Sequence, residues 1–494
     1  MPLIDEKVLW ASADKLRGTM GSSEYMHITL GLIFLKYISD RFEERYQELV
    51  KKKDNSENDR DYYEKDHIFW VPEFARWNYV KSFSKEEKIG QMLDEAFIEI
   101  EKDNDSLNNV MPKSYSKPEV DKRRLGELVD LFENQLKTPS IEEEGDFMGQ
   151  VYEYFMGKFA RQFTEKGGEF FTPRSIVKIL VAMLDPTDGR VYDPCCGTGG
   201  MFVHVGDFVK AHRGNVDNIS VYGQELNSTT WKLAKMNLSI RGIEANLGGG
   251  PGDTFHDDMH KALRANYILA NPPFNISDYG QPSLIGDPRW KFGTPPEGNA
   301  NYGWIQHMYS KLAPNGKAGF VLANGSLSTV GKQELEIRTN MLDRGVIDCI
   351  ITMPDKLFYS VSIPVALWFL EESKRSTDVL FIDARNLGHM IDRKVRELSQ
   401  EDIDLVSSTY HNWKNNTGYE DVKGFCKVAS LNDIKATGYT LVPGRYVGVD
   451  DSDRLSEKEI RIELKKTSQE LIKLLEESRK LEDKVKAILE KELD

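Results

Sequence analysis

Apolar and polar positions follow three different patterns along the chain. As far as residue 145, apolar residues cluster at helical spacing between charged spacers: 28–42 predicts a helix, followed by the charged stretch 43–66, and further patches cover 88–100 and 125–136. From 146 to 385, short apolar runs alternate with helical stretches, the pattern of strands joined by helical crossovers. The predicted strands are 190–193, 220–224, 267–270, 318–323, 346–352, 363–370 and 379–382, with helices such as 230–241 and 302–312 between them. Residues 386–450 read as short helices and turns. Beyond them Ile460, Leu464, Thr467, Leu471, Leu474, Ser478, Leu481, Val485 and Ile488 recur at alternating spacings of four and three, with no proline or glycine over 455–494.

These patterns predict a helical domain over 1–145, an α/β domain with a doubly wound sheet over 146–450, and a C-terminal heptad helix over 451–494. The heptad seam suits a coiled-coil contact with another chain, and also a helix laid on its own domain. The N-terminal helices fit an interaction or DNA-clamping role and a purely structural one equally well.

Candidate chemistry gathers at the predicted strand ends. Tyr267-Ile-Leu-Ala is followed by Asn271-Pro272-Pro273-Phe274, and two prolines cannot continue a strand. Asn271 then stands at the carboxyl edge of the sheet, where open α/β sheets bind their ligands. The Asn271 side-chain oxygen and the Pro272 carbonyl can each accept one N–H of a planar amine such as adenine, with Phe274 stacked on the ring. Taken alone, these four residues also fit a plain strand-ending turn.

After the first strand comes Asp193-Pro-Cys-Cys-Gly197-Thr198-Gly199-Gly200, a turn whose glycines let the backbone approach a ligand closely. A glycine turn can also cradle phosphate, but no Walker lysine follows, and Asp193 repels a pyrophosphate while suiting an ammonium group. Glu225 ends the second strand where a ribose diol is bound in such sheets, and Asp253 is placed to meet an adenine amino group. Gly167-Gly-Glu169-Phe170-Phe171-Thr172-Pro173-Arg174 reads as an ordered loop before a helix, with Thr172 as its cap.

Composition narrows the class. With 494 residues, 40% hydrophobic and 29% charged, the chain fits a soluble globular protein of more than one domain. Its first residues lack the apolar segment of a signal peptide, and no apolar run is long enough for a bilayer. Four cysteines without zinc spacing suit a reducing, cytoplasmic setting. His256-Asp-Asp-Met-His260 resembles a metal cluster, but is expected to be a solvated polar helix start, so no metal is expected. A net charge of −14 weighs against a protein that grips DNA alone over a broad face. The stretch 275–300, rich in Gly and Pro, is long enough to be a functional loop and is expected to order when DNA binds. Phe358-Tyr359 offers either a second aromatic wall or core packing.

The motifs Gly-Glu-Phe-Phe-Thr-Pro-Arg, Asp-Pro-Cys-Cys-Gly-Thr-Gly-Gly, Gln-Glu-Leu-Asn and Asn-Pro-Pro-Phe, in this order, closely resemble those of the modification subunits of type I restriction–modification systems, which are DNA adenine-N6 methyltransferases. The resemblance covers residues 146–385 and is looser on either side. It implies a Rossmann-like S-adenosylmethionine-dependent methyltransferase sheet. It further implies that Glu169 to Arg174, Thr198 to Gly200 and Glu225 line the S-adenosylmethionine pocket, and that Asn271, Pro272, Pro273 and Phe274 form the catalytic motif acting on a flipped adenine. The family often has Ala-Gly-Thr-Ala-Gly where this chain has Cys-Gly-Thr-Gly-Gly, a change among small residues.

About 100 residues follow the catalytic region, with no candidate for a separate DNA-reading domain. This agrees with the family's separate specificity (S) subunit, a second modification subunit, and a restriction (R) motor-nuclease subunit as partners on DNA. The residues also leave open a stand-alone DNA methyltransferase, methylation of cytosine N4 or of a protein glutamine, and a catalytically silent assembly scaffold.

Overall fold

A computed structural model describes residues 22–140 except 67 and 172–448 except 213–217, 359–363, 375 and 392–394, together with residues 9, 151, 154 and parts of a helix between 461 and 481. Its first long helix, α1 (Ser22–Val50), is apolar nearly all round through Ile28, Leu30, Leu32, Ile33, Phe34 and Leu35, as befits a helix enclosed by others. It runs two turns past the predicted end into the charged stretch. Around it pack α2 (Ile89–Asp103) and α3 (Lys122–Gln135), the latter capped by Asp121, which accepts from Arg123 N and Arg124 N. Gly126 of α3 has no room for a side chain, since a Cβ there would fall on the Ser84 carbonyl.

The second core surrounds a nine-stranded sheet. In chain order come α4 (Arg174–Leu184), β1 (Gly189–Asp193), α5 (Gly200–Ala211), β2 (Ile219–Gly223), α6 (Ser228–Ile240), β3 (Ala245–Asn246), β4 (Ala265–Ala270), α7 (Asn301–Ser310), β5 (Leu312–Ala323), α8 (Lys332–Arg344), β6 (Ile347–Thr352), β7 (Val365–Glu371) and β8 (Val379–Asp383). A two-stranded hairpin, β9 (His389–Met390) with β10 (Arg396–Glu397), then precedes α9 (Gln400–Asn415) and β11 (Cys426–Ala429). The sheet order is β11-β8-β6-β7-β5-β4-β1-β2-β3. From β1 the chain first moves to β2 and β3, then crosses back to β4 and β5. Right-handed crossovers therefore set α5 and α7 on opposite faces, and the order reverses between β1 and β4.

All seven predicted strands exist, but the sheet is mixed. β7 runs antiparallel to both β5 and β6, and β11 antiparallel to β8. The stretch read as short helices and turns holds the 16-residue α9, started by a Ser399–Asp402 capping box, and the strand β11 that completes the sheet. At that edge the outward amides are already engaged: Cys426 N donates to Val422 O at 2.9 Å, and Val428 N to Asp421 Oδ1 at 3.1 Å.

The two cores meet at α6, where Leu233 and Met236 are buried in the N-terminal cluster and Ser239 Oγ donates to Ser106 O at 3.3 Å. Leu464, Leu471, Leu474 and Leu481 of the terminal helix are 67%, 56%, 58% and 61% exposed. No helix among the described residues is long and apolar enough to cross a membrane.

Candidate active site at the β1–β4 crevice

β1 delivers Asp193 to the carboxyl edge, paired in register with Gly223 of β2. The two chains stay stitched beyond the strands, because Gln224 N donates to Asp193 O at 3.0 Å and Cys196 N to Gln224 O at 2.9 Å. The intervening turn depends on glycine: Gly197 and Gly199 have φ of 55° and 80°, a region that side chains disfavour. A Cβ built on Gly197 or Gly200 meets nothing within 4 Å, so the turn borders open space. Thr198 is fixed from outside by Asn237 of α6, whose Nδ2 donates to its carbonyl at 2.7 Å.

Asp193 is 1% exposed and accepts from Cys195 N at 2.9 Å. Burial lifts its carboxyl from the ordinary 3.8 to about 7, and the Glu225 charge pushes the same way against the Cys195 hydrogen bonds. Glu225 spans the crevice floor, with Oε2 accepting from Gly197 N at 3.1 Å and Oε1 from Asn227 N at 2.8 Å. Gly252 N donates to Glu225 O at 2.9 Å and brings Asp253 alongside. Asp253 does not end a strand as expected: β3 stops at Asn246, and a glycine-rich loop carries the chain on to it. One Asp253 oxygen accepts from Phe255 N at 2.8 Å, and the other lies 2.9 Å from His256 Nδ1.

β4 delivers Asn271 beside this turn. Tyr192 pairs with Ile268, so the two parallel strands end at the same edge, β1 at Asp193 and β4 at Ala270, one residue before Asn271. Pro272 is buried and Pro273 half-buried. Phe274 is 7% exposed and meets Phe358 edge-on, with ring centroids 6.1 Å apart. Buried Asn301, at the start of α7, clamps the exit of the motif by accepting from Asn275 N at 3.0 Å and donating to Asn275 Oδ1 at 2.9 Å.

Some expectations fall elsewhere. Glu169, Phe170, Phe171 and Tyr359 lie outside the described residues. Thr172 is not the cap of α4: Pro173 occupies that position without a side-chain bond, leaving Thr172 one residue too early to reach the helix amides. Arg174 is exposed on the first turn of α4, and among the described residues no hydrogen bond joins 172–174 to the glycine turn. The 256–260 segment is a turn rather than a helix start. Its histidines diverge, His256 toward Asp253 and Ser283 and His260 Nε2 toward Gly223 O at 2.8 Å.

The loop 275–300, expected to order when DNA binds, is tied down by its own hydrogen bonds. Tyr279 Oη donates to Pro296 O at 2.7 Å, Gln281 Nε2 to Pro295 O at 2.9 Å, and Phe292 N to Gln306 Oε1 at 2.9 Å. Gln224, Thr254, Asn301 and Arg289 organise this region and were not singled out from the sequence. Only Gln224 carried a signal, as the neighbour of Glu225 in Gln-Glu-Leu-Asn.

Known proteins share this arrangement. Residues 143–454 match the family model described as N-6 DNA Methylase, and residues 6–132 match that of the HsdM N-terminal domain. The HindI type I restriction enzyme methylase subunit of Haemophilus influenzae is 42% identical over 403 residues, 78% of this chain and 91% of that one. The chain belongs to the N-6 DNA methylase family. The MjaIX type I methylase subunit of Methanocaldococcus jannaschii is 38% identical over 98% of this chain and 91% of its own length. A type I methyltransferase subunit from Streptococcus thermophilus superposes with a TM-score of 0.74 at 26% identity, covering 90% of this chain and 98% of that one. The cofactor of this methylase is S-adenosylmethionine, and the site suits it: open space beside Gly197 and Gly200, and a buried acid for a cation.

Proposed function

We propose that the chain is the catalytic modification subunit of a cytoplasmic type I restriction–modification complex and methylates N6 of an adenine swung out of duplex DNA. One observation carries the reading: β4, which leads into Asn271, is the parallel neighbour of β1, which leads into the glycine turn, at the point where the strand order reverses. The cofactor supplies an electrophilic methyl group. Gly197, Thr198, Gly199 and Gly200 border it, Asp193 faces its ammonium, Glu225 takes the ribose hydroxyls and Asp253 the adenine amino group, with 169–174 along the same pocket. Asn271 Oδ1 and the Pro272 carbonyl accept the two N–H bonds of the target amine and draw its lone pair out of the ring. Pro273 holds that turn, while Phe274 and Phe358 form the aromatic side. The target base must leave the stack to reach them. The proton departs after the nitrogen has become cationic, so no strong base is required.

Tritiated-methyl incorporation into DNA tests the proposal. Label is expected at adenine N6 when the chain is assembled with its specificity subunit; label absent from adenine in the assembled complex refutes the reading, and efficient labelling by the chain alone refutes the division of labour. The exposed leucines of the terminal helix support docking of that subunit there. Truncation after residue 454 is accordingly expected to abolish co-elution with the specificity subunit and leave cofactor affinity unchanged.

Asp193 gives the cofactor site a pH signature. A cationic ligand favours the carboxylate, whereas the free chain holds Asp193 protonated below about pH 7. Cofactor affinity should therefore rise with pH up to about 7, by up to about tenfold per unit, with proton release on binding. Calorimetry in buffers of different ionisation enthalpy measures that release, and Asp193→Asn should eliminate it. In the free chain the sign is opposite: burying this acid with a raised pKa lowers stability as pH climbs from about 4 toward 7.

A further inference from the structure

We infer that Arg289 is a positioning residue that couples the loop behind the catalytic motif to the cofactor pocket. The inference rests on the reading above, in which Asp193 and Asp253, the immediate neighbours of Pro194 and Thr254, line the cofactor site. Arg289 lies in the loop 275–300, its side chain 12% exposed, and its guanidinium turns inward. NH1 donates to Thr254 O at 3.0 Å and NH2 to Phe255 O at 2.6 Å, the two residues after Asp253. Thr254 in turn donates from Oγ1 to Pro194 O at 2.5 Å, in the turn after β1. NH1 also lies 3.1 Å from His307 Nδ1, and His307 Nε2 is 3.2 Å from Tyr192 Oη on β1.

This set fixes the histidine. An arginine only donates, so Nδ1 must accept and the ring proton sits on Nε2, toward Tyr192. Burial, aided by Arg289, holds the His307 pKa down to about 3, which keeps the ring neutral. On its outer side Arg289 is aimed by Asp287, through Nε to Oδ1 at 2.8 Å and NH2 to Oδ2 at 2.7 Å. One planar cation therefore ties the substrate-side loop to the 253–255 turn directly, and to the end of β1 through His307 and Thr254. A shift of the loop moves the cofactor's surroundings with it, and the reverse holds by linkage.

Calorimetric titration of the full chain with S-adenosylhomocysteine tests this. Arg289→Gln is expected to weaken binding about tenfold, and in the assembled complex to raise the cofactor KM while kcat at saturating cofactor stays near wild type. Arg289→Lys should not rescue, because one ammonium cannot span two carbonyls and the imidazole. Asp287→Asn, which keeps the arginine but removes its aiming charge, should weaken binding in the same direction by less, and it serves if the Arg289 variants fail to fold. Wild-type affinity in Arg289→Gln or in Asp287→Asn, or full rescue by lysine, overturns the inference. Failure of the wild type itself to bind overturns instead the cofactor reading on which it rests.

Discussion

Replacing Asn271 by alanine is expected to leave cofactor binding intact and to lower methyl transfer roughly 10²–10³-fold, the usual cost of losing one preorganised hydrogen-bonding group aimed at a developing charge. The amine of adenine is a poor nucleophile because its lone pair is delocalised, and the barrier falls only when both N–H bonds are held by acceptors. Alanine leaves the Pro272 carbonyl in place and removes the other acceptor, so rate is lost more than affinity. Asn271 belongs to a different strand from the turn that borders the cofactor, and Asn301 fixes the exit of the motif independently. Single-turnover labelling of the assembled complex, beside titration of the cofactor, separates the two effects. A variant that transfers methyl at the wild-type rate refutes the assignment, and one that loses cofactor binding in proportion makes Asn271 a packing residue.

The largest loss of stability is expected from Asp348→Ala. Asp348 of β6 is 1% exposed, with Tyr410 donating to Oδ2 at 2.8 Å and Lys414 Nζ 3.1 Å from Oδ1. Lys374, whose pKa burial depresses against the pull of Asp348, lies 3.8 Å away. Removing one partner of a buried charged cluster costs about 3–5 kcal/mol, because the remaining charge stays desolvated. Here the lower end applies, since Lys414 keeps Glu371. Tyr410 and Lys414 both belong to α9, which also meets α4 through His411 Nε2 and Ala182 O at 2.8 Å. The change should thus lower the denaturant midpoint and loosen 400–415 in hydrogen exchange. An Asp348→Asn variant as stable as wild type would show that the carboxylate charge is dispensable there.

The strands that matter for the site were legible because each is a short apolar run ending in residues that cannot continue it. Asp193-Pro and Asn271-Pro-Pro mark two such ends, and the structure puts them side by side. Strand direction was not legible: Val365–Glu371 has the same apolar run whether its neighbours run parallel or antiparallel. β11 escaped notice because four residues around an exposed Lys427 give too little alternation. Asp253 was expected to close a third strand as Asp193 and Glu225 close two, whereas a glycine-rich loop carries the chain to it. The anchors Arg289, Thr254 and Asn301 bond across long sequence separations, largely to backbone, and no local spacing announces such partners.

The flanks of the sheet limit how the methylase can be joined to anything else. One flank, β3, offers a ladder of two residues, and at the other the free amides of β11 are consumed by Val422 and Asp421. A visiting strand finds only a two-residue template at β3 and engaged amides at β11, which disfavours annexation by a neighbour's sheet and runaway fibre growth alike. Recruitment is left to coils and connecting segments, which can be remodelled without disturbing the pleated centre that carries the chemistry.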